Sequence, residues 1–420
     1  MYALVDCNNF YVSCERVFNP GLENMPVIVL SNNDGCAISR SDEAKALGIE
    51  MGAIPHLIPK TVDTRSLKMF SSNYTLYGDM SDRVMKTLAQ FVPRLEVYSI
   101  DESFLDMSGM EHMDLLQLGA KIKQTIKQHC GIPVCVGIAP TKALAKMANR
   151  YAKKTNKAFG VYWAKDKKAI DKMLHYTQVG DVWNIGHQYE RMLLRNNIKT
   201  AYDFAHAAPD FVRTNMTVQG ARLQKELNSI PCFKWEFEPP AKKGICTGRS
   251  FGFLTSDKKI ICEAMTNFAA NCALKLREQK SVAKEMRVFI NTNPHRPQDT
   301  QCFRSIVLQM EVATNATTEI IKYALKGLDI IFKEGCNYMK CGVEVRHLVP
   351  ENNVQFNLFS GTESIKKKQL TTAFDLVNRI HGKDTVKYGV QGFEKRYKAR
   401  ASHLSPCYTT RLKDIIKTKD

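Results

Sequence analysis

Asp6, Asp101 and Glu102 are the residues of this chain whose types and placement best suit chemistry. Asp6 closes the apolar run Tyr2-Ala3-Leu4-Val5. The adjacent pair interrupts a strand pattern, with Val97, Tyr98 and Ile100 before it and Phe104, Leu105 and Met107 after. Acidic groups in such surroundings are costly unless a cation or hydrogen bonds stabilise them. Three carboxylates brought together by two neighbouring strands would form a hard oxygen site suited to Mg²⁺. Two such ions about 4 Å apart are the usual device for in-line phosphoryl or nucleotidyl transfer. On these residues alone a second reading stays open, in which Asp101 and Glu102 simply turn a hairpin.

The elements that would position them alternate along the first ~165 residues. The patterning predicts strands over 2–6, 27–30, 95–100, 103–107 and 134–138, and helices over 9–17, 41–47, 79–91, 113–129 and 141–153. Strands and helices alternating around a hairpin that bears carboxylates predict an α+β unit of ferredoxin-like type. From 166 to 236 the pattern is helical. Within it Val182-Trp183-Asn184-Ile185-Gly186-His187 reads as a hairpin leading into a second helix. Backbone N–H groups at that helix start could hold a phosphate without reading sequence; an ordinary helical turn is the other reading. Residues 237–243, with paired prolines and then lysines, read as a linker. A second α+β unit follows, with strands near 245–252, 284–291, 303–311 and 340–348 and helices near 257–279 and 316–335.

Composition narrows the partners. At 420 residues the chain is long enough for roughly three domains. A formal net charge of +18 favours a polyanion: nucleic acid, an anionic membrane or an acidic protein. No apolar run reaches the ~20 residues that span a bilayer, and the N-terminus carries no export signal, so no membrane role is expected. Thirteen cysteines, scattered and never spaced Cys-x-x-Cys, read as reduced thiols of a cytoplasmic protein. Cys336 and Cys341 lack a second ligand pair for zinc.

The segment Asp6-Cys7-Asn8-Asn9-Phe10-Tyr11-Val12-Ser13-Cys14-Glu15, together with Ser99-Ile100-Asp101-Glu102 and Val136-Gly137-Ile138-Ala139-Pro140-Thr141-Lys142, resembles the Y-family translesion DNA polymerases. The resemblance is strongest to the UmuC-type catalytic subunit of bacterial DNA polymerase V and covers nearly the whole chain. It includes Ser31-Asn32-Asn33-Asp34-Gly35-Cys36 and Gln355-Phe356-Asn357-Leu358-Phe359. It implies a multidomain α+β right-hand polymerase. Residues 1–165 would be a ferredoxin-like palm with a small fingers insertion at about 20–75. Residues 166–236 would be a helical thumb with a helix-hairpin-helix that binds DNA through Ile185 and Gly186. Residues 244–350 would be the little finger, and 351–420 a clamp-binding peptide and basic tail.

The implied activity is error-prone copying past damaged template bases in the SOS response, from deoxynucleoside triphosphates on primer-template DNA. By resemblance Asp6 and Asp101 bridge two Mg²⁺ ions, Glu102 completes the ion nearest the primer, and the Cys7 carbonyl supplies a backbone oxygen. Tyr11 is implied as the steric gate that excludes a 2′-hydroxyl, the group that separates RNA from DNA precursors, with Phe10 beside it. Lys45 and Lys153 would contact the triphosphate, and Ile38, within Asn32 to Arg40, would roof the templating base.

Arg249, Arg287, Arg304 and Arg346 recur in the strands of the second α+β unit. They could grip phosphates without base specificity, or face solvent. Gln355 to Phe359 is similar to the bacterial sliding-clamp pentapeptide, whose apolar anchors plug a groove. Residues 361–420 hold 14 Lys and Arg against 6 Asp and Glu, a cationic segment for DNA or an acidic protein. The resemblance associates that region with a UmuD′-type accessory subunit and the RecA filament. Two alternatives remain: a catalytically weak DNA- and clamp-binding scaffold, and a nucleotidyl cyclase. The cyclase needs neither the +18 charge nor the clamp peptide.

Overall fold

The strand that ends in Asp6 is apolar on both sides because helices cover both faces of its sheet. Ala3, Val5 and Cys7 join one buried cluster, and Leu4 joins another with Phe104 and Ala139. We describe the fold from a computed structural model, over residues 1–58, 66–110, 112–353, 365–394 and 396–416, with backbone only at 365–368.

In chain order the first unit contains β1 (Tyr2–Cys7), α1 (Phe10–Phe18), β2 (Val27–Leu30), β3 (Ala37–Arg40), α2 (Asp42–Ala46), β4 (Lys68–Ser71) and α3 (Tyr74–Leu88). It continues with β5 (Leu95–Val97), β6 (Glu102–Asp106), α4 (Leu115–Cys130), β7 (Val134–Ala139), α5 (Lys142–Thr155) and β8 (Val161–Trp163). Four helices follow: α6 (Lys167–Tyr176), α7 (His187–Arg195), α8 (Ala201–Ala205) and α9 (Pro209–Leu227). The second unit holds β9 (Ile245–Thr255), α10 (Lys258–Glu278), β10 (Ser281–Thr292), β11 (Phe303–Thr314), α11 (Thr317–Ile331), β12 (Tyr338–Pro350) and α12 (Ile365–His381).

The site-bearing sheet runs β5-β6-β1-β7-β8. β1 lies between β6 and β7, antiparallel to both, and β5–β6 is a hairpin. This is the expected βαββαβ arrangement with one parallel strand, β8, added at its edge. Helix starts agree with their sequence signals. Asp114 caps α4, Thr141 caps α5, and Gly131, at φ 73°, closes α4 in the left-handed conformation glycine tolerates. Gly137 on β7 is needed for a different reason. A Cβ there would lie 2.0 Å from the Asn149 backbone nitrogen, so only glycine lets α5 rest against the sheet.

A three-stranded sheet, β3-β2-β4, with a small core around Ile28, Leu30 and Ala44, occupies the expected insertion. The helices α6 to α9 pack with α5 around Leu174, Phe204, Val212 and Leu223. The second unit is an antiparallel sheet, β11-β10-β12-β9, with α10 and α11 on one face.

Two boundaries differ from expectation. The strands expected over 95–100 and 103–107 are a shorter hairpin, 95–97 and 102–106, because Tyr98–Asp101 turn between them. The tail expected from 351 is divided. The chain leaves the first unit after Pro239, builds the second from Pro240 to Ala401, and returns at Ser402 to complete the first. Residues 354–364, and so the whole peptide Gln355 to Phe359, lie outside the described residues, as does Lys395.

Candidate active site

The β1–β6 register sets Asp6 directly opposite Glu102. Paired residues of antiparallel strands project to the same face, so the two carboxylates share it, and like charges so placed repel. The hairpin reading of the acidic pair describes its local structure. Asp101 lies in the hairpin turn and Glu102 begins β6. The Ser99 hydroxyl organises that turn. It donates to an Asp101 carboxylate oxygen at 2.6 Å and accepts from the Glu102 backbone N–H at 3.0 Å. The Asp101 carbonyl accepts from the Cys7 N–H at 2.9 Å, tying the turn to the end of β1.

One helix supplies the compensating charge. Lys146 Nζ lies 2.7 Å from Glu102, and Lys153 Nζ lies 2.5 Å from Asp6. The two lysines are seven residues apart on α5, two turns of one face. Lys142, a turn earlier, pairs with Glu96 at 2.5 Å, both side chains nearly fully buried. Between them Asn149 donates to the carbonyls of Leu4 and Cys135. The stripe Lys142-Lys146-Asn149-Lys153 is thus polar where an amphipathic helix facing a sheet would be apolar. Lys153 was expected from the sequence; Lys146 and Lys142 were not, although their i, i+4 spacing was visible.

Burial pushes Asp6 up to about 6; Lys153 opposes the shift, and the charges of Glu102 and Asp101 add to it. Among the described residues no three Asp, Glu, His or Cys side chains converge as a metal cluster, and lysines pair with two of the three carboxylates. The donors are all hard oxygens, the set that suits a divalent ion such as Mg²⁺. The Cys7 side chain is not part of that set: it is 3 % exposed, and burial raises its thiol well above the ordinary range.

Tyr11 and Phe10 begin α1 just after β1. Phe10 is core, 4 % exposed, whereas Tyr11 is only half-buried. The Tyr11 ring stacks on Tyr77, with centroids 4.5 Å apart and planes 16° apart, and meets the edge of Tyr74 at 6.0 Å. Its hydroxyl is raised by burial first, then by Tyr74 and Asp101. Lys45, on α2, donates to Asn9 at 2.5 Å and pairs with Asp42 at 3.1 Å. Asn9 is the left-handed residue that turns β1 into α1 (φ 48°), so Lys45 is tied to that turn. Ile38 is half-buried on β3, facing away from the buried Ala37 and Ser39.

The expected helix-hairpin-helix differs in detail. Ile185 is 7 % exposed and packs in the core around α6 to α9, which leaves its backbone as the part that could meet a phosphate. Gly186 is the N-cap of α7, at φ −85°, and the residue with positive φ in this turn is Asn184. The first helix of the expected hairpin is only a three-residue 3-10 turn, Val179–Asp181.

In the second unit the four arginines divide by strand alternation. Arg304 pairs with buried Ile290, shares the helix-covered face, and donates to the Ile331 carbonyl at the end of α11. Arg249 pairs with buried Cys341 on that same face, at the edge strand. Arg287 and Arg346 lie on the open face, paired with Glu344, with Glu285 a second partner of Arg346. The same register places Lys340 and Ser250 on the open face, where Lys340 lies 5.9 Å over the Phe289 ring.

Comparison with known proteins agrees with this architecture. Residues 5–150 match the impB/mucB/samB family, 242–358 match that family's C-terminal domain, and 368–417 match a domain of unknown function. Protein ImpB of Salmonella typhimurium is 38% identical over 419 residues, covering 99% of each chain. Protein UmuC of Salmonella typhimurium strain LT2 is 38% identical over the full length of both. A solved Y-family DNA polymerase chimera of Dbh and Dpo4 superposes with a TM-score of 0.62 over 83% of this chain and 99% of its own, at 19% identity. With full-length relatives at this identity, the chain belongs to the impB/mucB/samB family and has the fold of a Y-family DNA polymerase.

Proposed function

We propose that the molecule is a template-directed, error-prone DNA polymerase that copies past damaged template bases by nucleotidyl transfer. The observation that carries this reading is the apposition of Asp6 and Glu102 across β1 and β6, with Asp101 in the adjoining turn and two lysines of α5 facing them. A scaffold without catalysis would have no use for three acids and two lysines brought together at that cost.

Asp6, Asp101, Glu102 and the Cys7 carbonyl would hold two divalent ions, Mg²⁺ being the natural fit. The ions would lower the pKa of a primer hydroxyl and neutralise charge on the triphosphate. The chain's own residues do the rest. Lys153 and Lys146, which pair with the carboxylates, and Lys45, tied to the β1–α1 turn, would be cations for a triphosphate. As point charges they tolerate varied phosphate positions better than an arginine fork would. Tyr11 would lay its ring against the sugar and refuse a 2′-hydroxyl, backed by the stacked Tyr77. Ile38 would meet the templating base. Arg287, Arg346, Lys340 and Ser250 on the open face of the second unit would follow the DNA backbone. Glu344, which Arg287 and Arg346 share, would keep the grip of those two moderate.

Gln355 to Phe359 is assigned to the sliding clamp. The cationic segment beyond it is assigned to a UmuD′-type subunit and a RecA filament. Both rest on family likeness.

The test is primer extension with Mg²⁺ at low salt, with clamp, accessory subunit and RecA present, comparing wild type with the double variant Asp101→Asn, Glu102→Gln. Extension by the wild type alone, at equal primer-template binding, is the expected result. Equal failure of both with binding intact would return the scaffold reading.

A further inference from the structure

Residues 402–416 come back to the first unit as an extended strap, and what they touch lies directly behind the nucleotide site. Ser405 Oγ donates to Glu15 Oε1 at 2.9 Å, and the same oxygen accepts from the Tyr77 hydroxyl at 2.6 Å. Tyr77 is the ring on which Tyr11 stacks. Glu15, Tyr77 and Ser405 are 2, 0 and 7 % exposed, so this relay is sealed from water and its bonds act in a low dielectric. Asn73 clamps the strap in place. Its Nδ2 donates to the Ser405 carbonyl at 3.0 Å and to that of Pro406 at 3.2 Å, while its Oδ1 caps α3, the helix that carries Tyr74 and Tyr77.

The strap reaches the template side as well. The Ser402 and His403 N–H groups donate to Asp34 and to the Ser71 hydroxyl, and the Ser71 hydroxyl itself donates to Asp34. Tyr408 stacks on Phe18 at 4.8 Å, anchoring the strap to α1. One segment thus touches α1 and α3, which carry Tyr11 and Tyr77, and the Asn32–Asp34 turn.

We propose that this strap is a specificity element: Ser405, acting through Glu15 and Tyr77, positions the Tyr11 ring and so sets how strongly a 2′-hydroxyl is refused. The inference rests on Tyr11 being the sugar gate. It gives the last part of the domain of unknown function, which spans residues 368–417, a role in choosing the sugar. Without Ser405 the Glu15 carboxylate keeps one donor and Tyr77 loses a fixed partner. The ring of Tyr11 then has room to retreat from a ribose.

The test measures dissociation constants of non-hydrolysable deoxy- and ribonucleotides on the full-length protein bound to a dideoxy-terminated primer-template, so that no turnover is needed. Ser405→Ala and Tyr77→Phe each remove one bond to Glu15. Each is expected to lower the ribose-to-deoxyribose ratio about fivefold. Deoxynucleotide affinity of Ser405→Ala stays within about twofold, and Ser405→Thr, which keeps the hydroxyl, restores the ratio. Melting temperatures are read in parallel. If both variants melt earlier but discriminate like wild type, while Tyr11→Ala loses discrimination, the strap is only structural and the inference is overturned. If Tyr11→Ala leaves the ratio unchanged, the gate reading fails, and this inference with it.

Discussion

Glu15 shows how a single buried acid has two separable effects. Its carboxylate accepts from Tyr77 and Ser405, yet burial still raises its pKa above the ordinary range, against those two bonds. Glu15→Gln keeps an oxygen for both donors and removes the charge that burial disfavours. A carboxyl whose folded pKa is raised destabilises the fold when ionised, and that cost disappears once it is protonated in both states. The variant is therefore expected to melt at or above wild type at pH 7. The difference should fall to nothing as pH drops through the folded pKa to the unfolded value near 4.3, as thermal melts from pH 7 to 4 would read. Lys153→Ala strips the counter-charge from Asp6 and a cation from the triphosphate. Nucleotide KM should rise about tenfold or more, with primer-template affinity nearly unchanged, in steady-state extension. At this scale the sequence was informative about the apposed acids, because charged groups are expensive where they stand. Lys146 went unnoticed: a lysine on a helix reads as a solvated surface group until the partner strand is known.

At the scale of elements, α5 and β7 determine where the charges meet. Gly137 has no space for a Cβ against the Asn149 nitrogen and the Ala145 carbonyl, which would lie 2.0 and 2.4 Å away. Gly137→Ala must push α5 off the sheet. The expected cost is about 3 kcal/mol of stability, with nucleotidyl transfer lost more steeply than DNA binding, as a melt and an extension assay on the same preparation would show. The strands and helices of the palm were legible from periodicity, since each has one or two clear apolar faces. The hairpin was legible but its bounds were not, because Tyr98 and Ile100 continue a strand pattern through a turn that the Ser99 hydroxyl and the Glu102 carbonyl close. Arg249 and Arg304 show the same limit. Strand alternation gives two faces, and which one the helices cover depends on the register, a long-range quantity.

For the molecule as a whole, the +18 charge and the open sheet face of the second unit predict backbone-driven binding. Affinity for primer-template should fall at least about tenfold between 50 and 200 mM salt, measured by fluorescence anisotropy, with little dependence on sequence. The return of the chain to its first unit was invisible in composition, where residues 351–420 read as one basic tail. It also changes what a cut does. Cleavage within residues 237–243 should leave two fragments that elute together under native conditions, because residues 402–416 remain docked where residues 1–239 fold. Separation of the fragments on size exclusion would contradict that docking.

The strap also has a place in time. Chains are made from the N-terminus at roughly 5–20 residues per second. Residues 1–239 therefore leave the ribosome on the order of ten seconds or more before Ser402 exists. Throughout that interval Glu15 lacks one of its two donors, and the edge of β4 lacks the segment that pairs with it. The nascent palm is thus complete in its carboxylates but unfinished behind its gate. Its final tightening waits until the whole second unit has been synthesised.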